Sequence, residues 1–393
     1  MSNINSDKRQ VILYGAFDRY NYGDNLMPIL LEMYFKKQHE DKIKNIDFVF
    51  ASIKDSDLRN YDCKQTVAMR KLLNAPNDST VILVGGEILG ADVGILYIHV
   101  QENPFAVKFL RLLRRVSPSL LITLAKVKYD AVWDFPYIPQ KESFTNNVKV
   151  VYNTVGAVPN KAQLEKIKQA DYISVRDERT YKGVTEIGKV QLVPDSVLMM
   201  SKVVDMDYLE TKVRDEIKNA LSKGKFITVQ ACPYKVKFSA KQMADELGKV
   251  RRDHGVDAVL LPIGYASGHD DVIFLEKVKA CSEKNLLLLN ELTVWEIMYV
   301  IAKSIGFYGT SLHGVITAMS FKIPHFCINN DITKLVSFLE TWSVAPYHKP
   351  LSVEQISGTV KHVIEGPATG LKEAVEHAQQ LIFKSLDEVV DVL

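Results

Sequence analysis

The residue with the widest chemical range in this sequence is His313, in the segment Gly309-Thr310-Ser311-Leu312-His313-Gly314. A β-branched and aromatic run precedes the segment and a helical pattern follows it. His313 is therefore expected near a helix N-terminus, at the C-terminal end of a strand. An imidazole there can hydrogen-bond an anion or transfer a proton, and the exposed helix N–H groups favour negative charge. The plainer alternative is a structural histidine.

Three other segments have comparable positions. Asn21-Tyr22-Gly23-Asp24-Asn25 follows the first apolar run and opens a helix. Gly23 allows close backbone approach, and Asn21, Asp24 or Asn25 can contact a ligand or simply cap the helix. Gly85-Gly86-Glu87 follows another strand-like run, which suits either a ligand approached by backbone and carboxylate or a tight turn. Arg176 directly follows the run Tyr172–Val175. A guanidinium there can clamp a carboxylate or phosphate, or pair with Asp177 on the surface; Arg179, one turn on, is expected to be solvated. Other patterns fail. Gly183 to Lys189 resembles a phosphate-binding loop, but Val190 replaces the required hydroxyl residue. His269-Asp270-Asp271 suits a metal, a sugar or a helix start, and no metal is expected.

Short β-branched runs alternate with amphipathic stretches along the whole chain, which predicts an α/β fold with parallel sheets covered on both faces. Strands are expected at Val11–Gly15, Ile46–Ala51, Val81–Val84, Val148–Thr154, Tyr172–Val175 and Val190–Val193. A second series covers Phe226–Gln230, Ala258–Pro262, Leu286–Leu289, Ser304–Tyr308 and His325–Ile328. Helices are expected between them, among them Asp24–Gln38, Lys64–Asn74, Tyr208–Ser222 and Val294–Lys303. The alternation restarts after Asp195–Asp205, giving two Rossmann-like domains, 1–200 and 201–393, with a cleft between them. The last helical pattern, Leu371–Val392, is expected to cross back onto the first domain.

The balance of 49 basic and 47 acidic side chains argues against a surface built for nucleic acid. The four cysteines lie far apart without a CxxC pair and are read as reduced thiols. The polar N-terminus has no signal-like apolar run. Val81–Val100 is apolar enough to suggest a membrane span, but Glu87, Asp92 and its glycines favour a strand, a turn and a helix. The stretch 105–128 has six basic residues (Lys108, Arg111, Arg114, Arg115, Lys126 and Lys128), no acidic ones and interleaved leucines. Pro118 is expected to split it into two helices. It reads as an ordinary solvated face or as a peripheral contact with an anionic membrane.

Taken in order, Asn21-Tyr22-Gly23-Asp24-Asn25, Gly85-Gly86-Glu87, Ser174-Val175-Arg176-Asp177, Pro194-Asp195 and Ser311-Leu312-His313-Gly314, with Ala318 and Pro324 beyond, resemble the polysaccharide pyruvyl transferase family over about residues 10–330. The resemblance implies a GT-B-like architecture with the active site in the cleft. It implies transfer of pyruvate from phosphoenolpyruvate to a sugar as a ketal, with release of phosphate and no cofactor. On this reading His313, Asp24 and Glu87 are catalytic. Arg176, Asn21, Gly23, Asn25, Gly86, Ser311, Leu312 and Gly314 bind substrate, with Arg176 and His313 on the donor. Many members have Arg-Leu-His where this chain has Ser311-Leu312-His313. Ser311 brings no guanidinium, and Lys322, Lys303, Arg19 or backbone N–H groups are the expected substitutes. The acceptor is expected to be a sugar or lipid-linked oligosaccharide of a surface or capsular polysaccharide precursor. The location expected is cytoplasmic, including the inner face of the cytoplasmic membrane. Acceptor loops are placed at Tyr234–Phe238, Tyr265–Asp270 and Asp130–Ser143. Two alternatives remain at this level: a glycosyltransferase with a nucleotide-sugar donor, using Glu291 and Glu296 on the ribose, and a non-catalytic membrane-associated assembly protein.

Overall fold

Runs rich in Val, Ile, Leu and Tyr become buried parallel strands here because helices cover both faces of each sheet. The computed structural model describes residues 8–101, 103–265, 270–283 and 286–393. Among these, seven strands form the first sheet: β1 (Gln10–Tyr14), β2 (Asp47–Ser52), β3 (Val67–Ala68), β4 (Ser79–Leu83), β5 (Val148–Val155), β6 (Tyr172–Val175) and β7 (Gln191–Leu192). Five form the second: β8 (Phe226–Gln230), β9 (Asp257–Leu260), β10 (Leu287–Leu288), β11 (Gly306–Gly309) and β12 (His325–Cys327). The orders are β3-β2-β1-β4-β5-β6-β7 and β10-β9-β8-β11-β12. Pairing is parallel, with Leu13 opposite Phe50 on one side and Ile82 on the other.

Both orders reverse direction once, between β1 and β4 and between β8 and β11. At such a point the connections leave on opposite sides, and a crevice opens beyond the strand C-termini. The two crevices face each other. Side-chain alternation divides the first sheet between two cores. Ile12, Tyr14, Val81 and Leu83 point to one core. Leu13, Ile82 and Val151 point to the other, which continues through the helix Tyr22–Gln38 into the second sheet.

The chain passes from one sheet to the other through Ser196–Met199 and Met200–Val203. This passage is buried, not an exposed linker. Ser201 donates to the carbonyl of Ser320 at 2.8 Å, and Gln379 donates to the carbonyl of Leu198 at 3.0 Å. The terminal helix Leu371–Val392 returns to the first sheet. Tyr34 donates to Asp387 at 3.2 Å, Lys149 donates to the carbonyl of Val392 at 2.6 Å, and the hydroxyls of Tyr172 and Ser385 bond at 2.7 Å.

Some local expectations change. The stretch 64–74, expected helical, is the short edge strand β3 followed by a 3-10 turn at Met69–Leu72. Val67 and Ala68 gain ladder partners in β2 that local preference does not reveal. The helix expected over 208–222 divides into Met206–Thr211 and Asp215–Leu221. Arg214 lies at the break, where its backbone N–H and guanidinium both donate to Glu296. The stretch 81–100 is the end of β4, a glycine turn and the helix Val93–His99. The helix Thr333–Trp342 was not anticipated, although Leu335, Phe338 and Leu339 form its buried side at helical spacing.

The buried face of the terminal helix closes a core shared by both sheets. Ile382→Ala should lower unfolding stability by about 2–5 kcal/mol, read as a shift of the urea midpoint.

Candidate active site

Loops from both crevices enclose a cavity of about 300 Å³. The first sheet contributes Arg19, Asn21 and Asp24 after β1, Glu87 after β4, and Arg176 after β6. The second contributes Gln230 and Lys235 after β8, Asp271 from the start of the helix Asp271–Cys281, and Ser311, Leu312 and His313 after β11. Lys334, from the helix Thr333–Trp342, completes the wall.

The segment after β1 is held across the cleft by backbone. Asn21 bridges to Gly264, and the Tyr22 N–H donates to the Ile263 carbonyl at 3.2 Å. Tyr20 stacks on Tyr265 with ring centroids 5.2 Å apart and donates to the carbonyl of Leu292. These contacts leave the start of the first helix against the imidazole of His313. A Cβ at Gly23 would lie 1.9 Å from His313 Cγ and Nδ1. Gly23 thus serves as a recess for the histidine ring and is not itself a cavity wall.

A chain of charges connects the two sides. Arg176 is only 1% exposed. It donates through Nη2 to Glu87 Oε2 at 2.7 Å and through Nη1 to Asp195 Oδ2 at 3.0 Å. Asp195 Oδ2 also lies 3.7 Å from His313 Nε2, which has no hydrogen-bond partner among the described residues. Glu87 Oε1 accepts from Arg179 Nη2 at 2.5 Å, so Arg179 is a member of this chain and not the solvated residue expected. Gly156 makes room for it: a Cβ there would fall 2.7 Å from Arg176 Nε and 2.8 Å from Glu87 Oε2.

Burial pushes the Glu87 carboxyl upward, but Arg176, Lys334 and Arg179 outweigh that and hold it below the ordinary glutamate value. Burial likewise raises Asp195, and His313 and Arg176 bring it below the ordinary aspartate value. Both therefore stay ionised, as a buried guanidinium requires. Glu87 is consequently a weak proton acceptor. Both terminal nitrogens of Arg176 donate to carboxylates, so at the cavity wall it acts chiefly by holding Glu87 and Asp195.

The expected substitutes for the absent guanidinium separate clearly. Arg19 lines the cavity, donating to Asp18 at 3.1 Å and to the Tyr129 hydroxyl at 3.2 Å. Lys303 pairs with Glu210 and Lys322 with Glu376, neither at the cavity. Ser311 caps the helix Leu312–Ser320, accepting from the Gly314 N–H at 3.4 Å. The cations that sequence reasoning did not single out are Lys235 and Lys334. Neither has a carboxylate ion-pair partner among the described residues. Burial lowers the Lys334 amine to about 8, with repulsion from Lys235 and Arg176 adding to it and Glu87 opposing it. Lys235 lies in the loop 234–238, and Lys334 is the second residue of the helix Thr333–Trp342, whose apolar spacing is visible in the sequence.

Other expected residues are placed as follows. Asp24 lines the cavity and accepts from the Asn21 amide at 2.8 Å. Asn25 faces inward and donates to the carbonyls of Arg19 and Asn21 at 2.8 and 3.1 Å, fastening the loop. Gly86 pairs with Val155, and Gly23, Asn25, Gly86 and Gly314 are not cavity walls. Glu296 is fully buried and accepts from Arg214 and from the Thr293 N–H, so it is not available to a ribose. His269 and most of the loop expected at 265–270 lie outside the described residues. Asp271 is buried beside the cavity, accepts from Gln230 at 2.8 Å, and is raised to about 6 by burial. Among the described residues no group of His, Cys, Asp and Glu side chains is arranged to hold a metal ion.

Two parallel Rossmann-like sheets meeting at their crevices define the GT-B arrangement. Solved structures share it over nearly the whole chain. The UDP-GlcNAc 2-epimerase of Neisseria meningitidis, bound to UDP-GlcNAc, is 11% identical with a TM-score of 0.54, over 97% of this chain and 100% of that one. The S. aureus MnaA–UDP structure is 11% identical with a TM-score of 0.51, over 98% of each chain. The UDP-N-acetylglucosamine 2-epimerase of Rickettsia bellii is 9% identical with a TM-score of 0.50, over 98% and 97%. At such identities the likeness shows the fold alone. Comparison with curated proteins gives no match. Residues 147–332 match the family model of the polysaccharide pyruvyl transferases, a family of transferases acting on polysaccharide. The match holds Arg176, Asp195, Lys235, Asp271 and His313, and ends two residues before Lys334.

Two outcomes follow from this geometry. Gly23→Ala should displace the His313 ring and cost about 1–3 kcal/mol, the usual range for overpacking, read by denaturant unfolding. Because Glu87 and Asp195 are held below their ordinary values of 4.5 and 3.8, the unfolded chain binds more protons in acid. Their contribution is full at neutral pH and disappears as pH falls through and below those values. Replacing Asp195 by Asn should flatten the acid limb of a stability–pH curve.

Proposed function

We propose that the cavity binds phosphoenolpyruvate and transfers its three-carbon unit to a sugar as a pyruvate ketal. The observation that carries this reading is the pair Lys235 and Lys334, two amines with no carboxylate at ion-pair distance among the described residues, on the same cavity as His313 and Asp24. A donor with a phosphate and a carboxylate needs cations at two ends. Lys235 and Lys334 meet one anionic group, while Arg19 and the N–H groups at the start of the helix Leu312–Ser320 meet the other. Arg176 holds Glu87 and Asp195 in place behind them. The match to the pyruvyl transferase family supports the choice of donor.

The reaction then needs one acid and one base. His313 gives a proton to the donor's methylene carbon, which makes C2 electrophilic. A sugar hydroxyl adds to C2 as Asp24 takes its proton; Glu87, whose basicity Arg176, Lys334 and Arg179 suppress, is not suited to this step. The C2–O bond to the phosphate breaks, and phosphate leaves with that bond's electron pair. The second hydroxyl of the same sugar adds to C2, its proton leaves with phosphate, and the ketal closes. No cofactor enters this balance.

Calorimetry with phosphoenolpyruvate tests the reading. Lys334→Ala should weaken binding roughly tenfold or more, the loss expected for a charge-assisted hydrogen bond. A bound anion restores the ammonium form, so binding takes up protons near pH 8, and affinity is full below about 8 and falls as pH rises above it. His313→Ala should retain binding while phosphate release with acceptor falls by about 10²–10⁴. Unchanged affinity in Lys334→Ala, or binding of a nucleotide sugar in place of phosphoenolpyruvate, would overturn the assignment.

A further inference from the structure

The stretch 105–128 forms two helices, Pro104–Val116 and Pro118–Tyr129. The inner side of the first is accounted for: Leu110 packs with Leu121 and Ile98 in a small buried cluster. Its outer side is not. Phe105, Phe109, Leu112 and Val116 are 80%, 63%, 59% and 76% exposed. Their spacing of four, three and four residues places them on one continuous stripe. Leu120 and Val127 of the second helix are exposed as well. A water-soluble helix has no use for a second apolar face, and singly scattered exposed hydrophobes do not align this way.

Charge specifies what covers the stripe. Lys108, Arg111 and Arg115 run along one edge of it, and these three and Lys128 have no ion-pair partner among the described residues. Arg114 and Lys126 lie near Asp92 and Asp134 at 3.9 and 3.0 Å. There is no acidic residue from 105 to 128. An apolar stripe bordered by unpaired cations fits an interface that is hydrocarbon within and anionic at its rim.

We propose that the outer face of the helix Pro104–Val116 docks on an anionic lipid bilayer. The four apolar side chains enter the acyl boundary, and the flanking cations meet lipid phosphates. Among the described residues no helix is long and apolar enough to cross a membrane, so this contact is peripheral. It also has a direction. The helix Val93–His99 contacts both basic helices and lends Ile95, Leu96 and His99 to the cavity wall. The bilayer therefore lies on the side of the cavity walled by that helix. The docking itself does not depend on which donor the cavity takes.

Flotation with vesicles of phosphatidylcholine alone, and of phosphatidylcholine mixed with phosphatidylglycerol, tests the proposal on the full chain without phosphoenolpyruvate. The wild type should float with the mixed vesicles and remain behind with the neutral ones. Each arginine removed should lower partitioning roughly fivefold, about 1 kcal/mol. R111E/R115E and, separately, F109S/L112S should therefore lose flotation while keeping wild-type circular dichroism and melting, because all four positions are exposed. No flotation of the wild type, or undiminished flotation of both variants, would overturn the proposal. So would a wild-type dimer that F109S/L112S converts to monomer in sedimentation, because a second copy would then cover the stripe. Phosphate release measured with a water-soluble acceptor keeps this outcome separate from the catalytic reading.

Discussion

The candidate site depends on one buried cation. Arg176 is enclosed by Glu87 and Asp195, and a guanidinium so deep in protein is tolerable only with its counter-charges in place. Those carboxylates in turn stay ionised only because of Arg176 and its neighbours. Asp195 passes this constraint to His313 in the other crevice, and Glu87 passes it to Arg179. The positions of the groups facing the cavity are thus set by a charge network that runs from the cavity wall, at Glu87, Arg176 and His313, to Asp195 and Arg179 beyond it. Removing one member leaves an unpaired charge and not merely a missing contact.

Steric fit supplies the second constraint. The helix Tyr22–Gln38 begins against the His313 ring, and the absence of a side chain at Gly23 sets how closely the two domains approach there. Asn21 and Tyr22 join this helix to the strand-end loop of the second sheet by backbone pairing, and Tyr22 reaches Thr317 at 3.0 Å. The passage Ser196–Val203 and the terminal helix fill the space behind this contact. Backbone pairing, ring packing and a shared apolar core act together at one place, so the relative position of the two crevices is determined by many weak contacts and not by a flexible linker.

The surface shows the same separation of tasks. Many cations outside the cavity form ion pairs with acidic neighbours, as on an ordinary solvated face. Among the described cations with no carboxylate at ion-pair distance, Lys235 and Lys334 line the cavity, and Lys108, Arg111 and Arg115 lie on the helix Pro104–Val116. Unpaired charge in a half-enclosed site and unpaired charge beside exposed phenylalanine suit anions of different kinds. The helix Val93–His99 connects the two regions.

The sequence by itself determined the fold class, because alternation of buried strands with amphipathic helices is a local, repeated pattern. It also marked the turns that bear Asp24, Glu87, Arg176 and His313, because glycine and capping residues after apolar runs have few other uses. The same local signal misassigned β3, where pairing with a neighbouring strand overrides helical preference. What only the tertiary structure decided is which charges meet. Glu87, Arg176, Asp195 and His313 are separated by up to hundreds of residues, and nothing in their spacing tells that the arginine is locked by two carboxylates. Lys334 lies in a helix that was not expected from the sequence, and nothing marked it as a cavity residue; Lys303 and Lys322 carry the same charge and lie elsewhere. Periodicity is written along the chain, whereas the environment of an ionisable group is the sum of contacts that only packing brings together.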